Sequence, residues 1–252
     1  WTLAFLFGFQ IYFDFSAYSH IALGSARLMG IKFPENFNFP YLSTSPKEFW
    51  RRWHISLSSW IRDYLYLPLA GIHVHDRSIG GLSHATIDKS KNKTLFITWM
   101  IMGLWHGANW TFVLWGAYHA IVIVIYRLLS PLTKSFSGTI KTVGGVFFTL
   151  PIMMLSWIPF RSESLDVAIN MWAKVFNPYL YGSLGMRENI YLATAVILVG
   201  IFTTYWIKYK LIPSIKPESY LFILGEVIIF TIMLSLVIVF FRPVSQFIYF
   251  QF

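Results

Sequence analysis

Cysteine is absent, and with it any disulfide framework, thiolate-bound metal or thiol nucleophile. Charge is scarce as well. Asp, Glu, Lys and Arg make up 12% of the 252 residues, against roughly 25% in an ordinary soluble domain. There is no phosphate loop, dinucleotide fingerprint, paired-carboxylate motif or His-Glu-x-x-His metal signature. No nucleic-acid-binding module accompanies the formal net charge of +9, so that charge is not read as a nucleic-acid footprint. The opening Trp1-Thr-Leu-Ala-Phe-Leu-Phe-Gly8 has neither Met nor a basic leader, so it does not read as a cleaved secretory signal. The chain is expected to begin partway through a longer protein.

What is present is apolar. Hydrophobic residues account for 56% of the chain and aromatic ones for 19%. Several apolar runs approach the roughly 20 residues needed to cross a bilayer. The expected fold is therefore all-α: a polytopic transmembrane helical protein with amphipathic interfacial helices and a re-entrant or broken hairpin. Residues 1–28 read as a first crossing that faces protein, because Asp14 would be unfavourable against lipid unless paired with a basic group or used to hold a ring. Residues 29–93 carry nine Lys/Arg against five Asp/Glu and form a cytoplasmic amphipathic region. Within it, 31–42 is a loop, and Ser45-Pro46-Lys47-Glu48 starts a helix with Ser45 as cap. From 46 to about 66 one amphipathic helix is expected in the headgroup plane. Trp53, Leu57, Trp60, Ile61 and Tyr64 would share one face, and Arg51, His54, Ser58 and Arg62 another.

Residues 94–128 are too long for one helix and short for two crossings, so they read as a tight hairpin bent near Gly103, Gly107 and Asn109. Further crossings are expected at 142–158, 189–207 and 220–242, with an amphipathic segment at 163–176. The segments 29–93, 127–142 and 208–216 hold nine, three and three Lys/Arg, which orients them to the cytoplasm. Membrane lipids are accordingly an expected partner and nucleic acid is not.

The chemistry centres on Gly103-Leu-Trp-His-Gly-Ala-Asn-Trp110. His106 stands among residues able to orient or enclose its ring: Trp105, Asn109 and Trp110. An imidazole can accept a proton from an attacking hydroxyl and return it to a leaving group. Packing across helices, or weak haem or metal ligation, would also use such a histidine, although no ligand spacing supports a metal site. His54 lies in Phe49-Trp-Arg-Arg-Trp-His-Ile-Ser-Leu-Ser58, one turn before Ser58. Arg51, Arg52 and Arg62 could attract an anionic cofactor there, or simply anchor to anionic lipid. His73, His75 and His84 read as loop surface, and His20 and His119 as hydrogen-bonding residues between helices.

These stretches resemble the membrane-bound O-acyltransferase family, in its alginate O-acetyltransferase-like branch, with teichoic acid D-alanyl transfer as a more distant relation. The resemblance is carried by Tyr12-Phe-Asp-Phe-Ser-Ala-Tyr-Ser19, Phe33-Pro-Glu-Asn-Phe-Asn-Phe-Pro-Tyr41, Glu48 to Ser58, Arg62-Asp-Tyr-Leu-Tyr-Leu-Pro-Leu69, Gly103 to Thr111 and the final Tyr249-Phe-Gln-Phe252. His20 departs from the branch, which usually carries Asp there. The resemblance implies that His106 is the catalytic base and His54 the second functional histidine. It also implies a basic helix that meets acetyl-CoA as acyl donor, no permanently bound cofactor, and O-acetylation of an envelope or extracellular polysaccharide from the bacterial inner membrane. The implied partners are an extracytoplasmic SGNH-type acetyltransferase subunit and the polysaccharide synthesis or export machinery. D-alanyl transfer, a transporter or flippase using Asp14 and His106, and a scaffold for a soluble transferase are the other readings.

Overall fold

A computed structural model describes residues 1–72, 89–133, 138–182, 186–212 and 220–240. His73, His75, His84 and the terminal Tyr249–Phe252 lie outside the described residues. All regular structure among the described residues is helical. The chain divides into two compact units, Trp1–Arg187 and Glu188–Gln251.

The first unit opens with α1, Thr2–Leu28, long enough at about 40 Å to cross a bilayer. The hairpin follows as α5, Lys89–His106, and α6, Trp110–Leu129. Its two arms of 18 and 20 residues extend about 27 and 30 Å. The apparent shortage of length disappears because α5 begins in the polar turn at Lys89, before the apolar run. The bend lies at Gly107–Asn109. Gly103 sits inside α5, where its missing Cβ lets the Phe112 carbonyl of α6 approach, and Gly116 admits the Trp99 carbonyl in the same way. Next comes α7, Gly138–Arg161. Pro159 cannot donate to the Leu155 carbonyl, and the Trp172 indole of α8, Leu165–Val175, donates to it instead at 3.0 Å. Helix α8 is capped by Ser164, with Asp166 in its first turn and Lys174 in its last. Together, α6, α7 and the continuous Glu188–Leu211 segment of the second unit supply three apolar stretches long enough to span a membrane. The chain is a multi-pass membrane protein.

The second unit contains α9, Glu188–Trp206, continued by a π-helical stretch at Ile207–Leu211, and α10, Tyr220–Phe240.

Contacts sort the ends of the first unit. Gly8 of α1 faces Trp157 of α7, Arg161 lies over Phe7, Phe160 meets His106, and Asn109 bonds to the Glu163 carbonyl. The start of α1, the hairpin tip and the end of α7 therefore share one end. At the other end Gly145 abuts Thr44 and Arg127 reaches Asn92.

The 46–66 segment is not one helix. It forms α2, Pro46–Arg52, then α3, Ile55–Trp60, then a π-helical stretch Ile61–Tyr66 and a closing turn α4, Leu67–Leu69. His54 breaks it by adopting a left-handed backbone, φ 42°. The broken joint is replaced by bonds to the preceding loop. Asn36 accepts from Ile55 N through its carbonyl at 3.0 Å and from Ser56 N through Oδ1 at 3.1 Å, while Asn38 N donates to the Arg52 carbonyl. Asn36 thus caps α3 from a distance. The break separates the expected apolar face: Trp53 and Ile61 are buried, whereas Trp60 and Tyr64 are exposed. Trp53 instead packs on Tyr12, Tyr41 and Trp157, which draws the joint into the helical core.

Candidate active site

His106 ends α5 at the tip of the hairpin. Four rings surround it: Trp105 at 5.0 Å between centroids, Trp115 at 5.1 Å, Phe160 at 5.1 Å and Phe112 at 6.2 Å. Most are edge-on, an arrangement that holds an imidazole by packing and leaves its nitrogens uncommitted. No residue among those described hydrogen-bonds to the ring, which is half-buried. A proton acceptor whose neighbours are apolar and whose nitrogens are unengaged is equipped to take a proton from an incoming group.

The expected neighbours divide. Trp105 touches the ring, but it is also 57% exposed and forms the wall towards the surface. Trp110 is 71% exposed and does not enclose His106. Asn109 does not orient the imidazole either. Its Oδ1 accepts from Thr111 N at 3.1 Å and caps α6, a contact worth about 1 kcal/mol. Its Nδ2 donates to the Glu163 carbonyl at 3.2 Å and ties the hairpin turn to the end of α7. Trp115 and Phe160 were not singled out from sequence. They come from other helices, and only the hairpin's register and the path of α7 bring them to the ring.

His54 is positioned by the left-handed joint, and such a conformation in a non-glycine residue persists only where surrounding contacts enforce it. Its ring packs edge-on against Phe15 at 4.7 Å, and its Nδ1 is buried without a partner among the described residues. Ser58 is held by the joint as well, donating to the Trp53 carbonyl at 3.1 Å. Asp14, expected to pair with a base or hold a ring, is half-buried and makes no hydrogen bond or ion pair among the described residues. His20 is exposed and donates within its own helix to the Ser16 carbonyl at 2.7 Å, so it does not link helices.

A cleft of about 710 Å³ opens at the basic end. Lys47, Arg51, Arg62 and Arg127 line it together with Ser58, and Trp50, Thr98, Trp99 and Met102 also contribute to the lining. Lys47 stands one turn before Arg51 on α2, and Arg127 joins them only in three dimensions, since it comes from the far end of α6. The Arg62 guanidinium is held further above its ordinary range by its hydrogen bond to Asp63, so it stays charged at any working pH. Arg52 does not line the cleft. It pairs with Glu48, whose other oxygen accepts from Thr44 N at 2.8 Å and Thr44 Oγ1 at 2.6 Å. Burial alone would push the Glu48 carboxyl up, but the Thr44 bonds and Arg52 outweigh it and hold the group below its usual 4.5. Arg52 and Glu48 therefore brace α2. No group of three or more His, Asp or Glu side chains able to hold a metal occurs among the described residues.

The profile of the membrane-bound O-acyltransferase family matches residues 1–160. A protein of Azotobacter vinelandii named "Probable alginate O-acetylase AlgI" is 40% identical over 212 residues, covering 82% of this chain and 40% of the relative. The peptidoglycan O-acetyltransferase of Helicobacter pylori is 36% identical over 171 residues, 68% of this chain and 30% of the relative. The teichoic acid D-alanyltransferase of Streptococcus thermophilus is 34% identical over 180 residues, 65% of this chain and 41% of the relative. The chain spans well under half the length of these relatives. The matched segment contains α1, the Asn36 loop, the His54 joint, the complete hairpin and most of α7, which are the elements that build the cage and the cleft, and on these grounds the chain belongs to the membrane-bound O-acyltransferase family.

Proposed function

We propose that the whole protein moves an acetyl group from acetyl-CoA, bound at the cytoplasmic cleft, to an acceptor hydroxyl at the outer end, for O-acetylation of an envelope or extracellular polysaccharide. One observation carries this reading: a cleft lined by Lys47, Arg51, Arg62 and Arg127 runs along the same helical hairpin whose tip holds a caged, unengaged imidazole. A donor with several phosphates suits the first, and proton abstraction from a neutral hydroxyl suits the second.

In this mechanism His106 removes the acceptor's proton as the oxygen attacks the thioester carbonyl. The carbon–oxygen bond forms, the carbon–sulfur bond breaks, and His106 returns the proton to the departing thiolate. The products are an O-acetyl ester and a free thiol. The aromatic cage limits the access of water, which would otherwise hydrolyse the thioester. The acceptor is either the glycan or a hydroxyl on an SGNH-type partner subunit that faces the polysaccharide machinery. The setting proposed for this two-sided reaction is the bacterial inner membrane. Names of relatives support acetyl over D-alanyl as the cargo, since the alginate and peptidoglycan enzymes are both named for O-acetyl transfer.

The test is His106→Ala and His106→Gln in the full-length protein, reconstituted in its native membrane with acetyl-CoA radiolabelled in the acetyl group. Thiol release and label in polysaccharide should both vanish while protein abundance stays level. Retained transfer would remove His106 from the mechanism. Label arriving only from a charged carrier protein would move the reading to D-alanyl transfer, and polymer export without thiol release would favour the transporter.

A further inference from the structure

The cations of the cleft suit a phosphate, but they are set in apolar surroundings. Leu95, Trp99 and Met102 recur at helical spacing on α5 and line the cleft over about 10 Å of that helix. Ile123 of α6, Ile55 of α3 and Ile61 of the π-helical stretch complete the apolar lining. A CoA thioester of acetate is polar along nearly its whole length. It matches the cations and leaves these side chains unmatched.

The same lining adjoins surface that suits lipid. Ile125, Leu128 and Leu129, beside Arg127, are exposed on a helix apolar enough to span the membrane. Arg127 itself stands in the last turn of α6, the level at which phospholipid phosphates lie. Its Nη1 donates to Asn92 Oδ1 at 3.4 Å, which holds the guanidinium against the other arm of the hairpin. Lys47 and Arg51 reach the cleft from α2. Arg62 adds less net charge, because Asp63 pairs with it. Basic pockets between membrane helices at this level are typical sites for anionic headgroups. A zwitterionic headgroup would bring its own ammonium against the cations, and a free phosphate would leave the apolar lining bare. A lipid with net negative charge and acyl chains meets both.

We propose that the cleft binds an anionic phospholipid of the adjoining leaflet, and that this lipid and the thioester donor exclude one another. The phosphate lies on Lys47, Arg51 and Arg127, and an acyl chain follows Leu95, Met102 and Ile123. The exclusion rests on the reading that places the donor in this cleft; the lipid site stands without it. A leaflet richer in anionic lipid would then hold the donor out and slow transfer.

The experiment uses delipidated full-length protein in a neutral detergent, with dioleoylphosphatidylglycerol as probe and native mass spectrometry to count bound lipid. Dioleoylphosphatidylcholine tests the headgroup. Dihexanoylphosphatidylglycerol and inorganic phosphate separate a lipid from a free phosphate. The long-chain anionic lipid should bind about tenfold more tightly than the choline lipid or the short-chain one. These comparisons need only the wild type. Arg127→Gln, which removes a charge, and Ile123→Asn, which sets an amide against the chain, should each weaken binding several-fold. Coenzyme A should displace one lipid per protein. Equal retention of the two headgroups would overturn the lipid site, and so would inorganic phosphate competing as well as the long-chain lipid. Unchanged retention in both folded variants would do the same. A lipid that coenzyme A cannot displace would overturn the exclusion. Acetyl-CoA turnover by the wild type is scored separately. Its absence would remove the acyl-transfer reading, while the headgroup, chain and variant comparisons would still decide the site.

Discussion

Replacing Gly103 or Gly116 with alanine probes whether the hairpin's close packing places His106. In most exposed helix interiors this change is favourable by up to about 1 kcal/mol, because alanine is the better helix former. Here the sign should reverse. A Cβ on Gly116 would lie 2.1 Å from the Trp99 carbonyl oxygen, and one on Gly103 would lie 2.2 Å from that of Phe112. A comfortable carbon–oxygen contact is about 3.3 Å, so α5 and α6 must separate by about 1 Å. Both obstacles are helix backbone and cannot rotate away. Overpacking of this kind destabilises by about 1–3 kcal/mol. Gly103 is one turn from His106, and a displacement of about 1 Å at a reacting group can lower the rate about a hundredfold. Gly144 of α7 serves as the control, since a Cβ added there would meet nothing within 4 Å. The assay pairs thermal unfolding in detergent, read by tryptophan fluorescence, with initial rates of thiol release. Gly103→Ala should melt earlier and lose most activity, Gly116→Ala should melt earlier with a smaller loss, and Gly144→Ala should match or exceed the wild type. If Gly103→Ala and Gly116→Ala both behave like Gly144→Ala, the interhelical approach does not set the site and the reasoning fails.

The cleft and the brace should separate by kinetics. Arg51→Gln and Arg62→Gln should each raise the donor KM several-fold and reduce its sensitivity to salt, as expected when a phosphate contact is lost. Arg52→Gln, which removes the partner of Glu48, should lower stability and leave the donor KM near wild type; equal KM effects from all three arginines would refute the division. The Glu48 carboxyl is held below its ordinary value in the folded protein, so it contributes stability that is present above about pH 4.5 and is lost as pH falls through the folded value. The melting temperature of Glu48→Gln should therefore be lower than that of the wild type at neutral pH and approach it in acid. Parallel curves across that range would show that the Thr44 and Arg52 contacts do not act through the charge.

Much of the membrane architecture was legible from the chain because lipid imposes a simple rule: a crossing must be long and apolar, and its flanks must carry the positive charge. That rule placed the helices at 138–161, 188–206 and 220–240 within a few residues of their observed bounds. The start of α2 was readable for a local reason, since Ser45 needs only its own Glu48 N–H to act as cap. The single helix expected over 46–66 failed for a non-local one. Periodicity continues through His54, but Asn36 and Asn38, more than a dozen residues earlier, supply the hydrogen bonds that make a break there tolerable. Arg51, Arg52 and Arg62 look alike in sequence, but Arg52 pairs with Glu48 outside the cleft, whereas Arg62, paired with its neighbour Asp63, stays in the cleft lining.

The sequence by itself determined that the chain crosses the membrane and that a histidine between glycines ends a hairpin arm. Those properties follow from composition and short-range pattern, which act over one helix at a time. Tertiary structure alone decided that Trp115 and Phe160 cage that histidine and that Arg127 joins Lys47 at the cleft. These contacts join residues on different helices, and their partners are fixed by how closely backbones approach at Gly103 and Gly116, a quantity that no local pattern encodes.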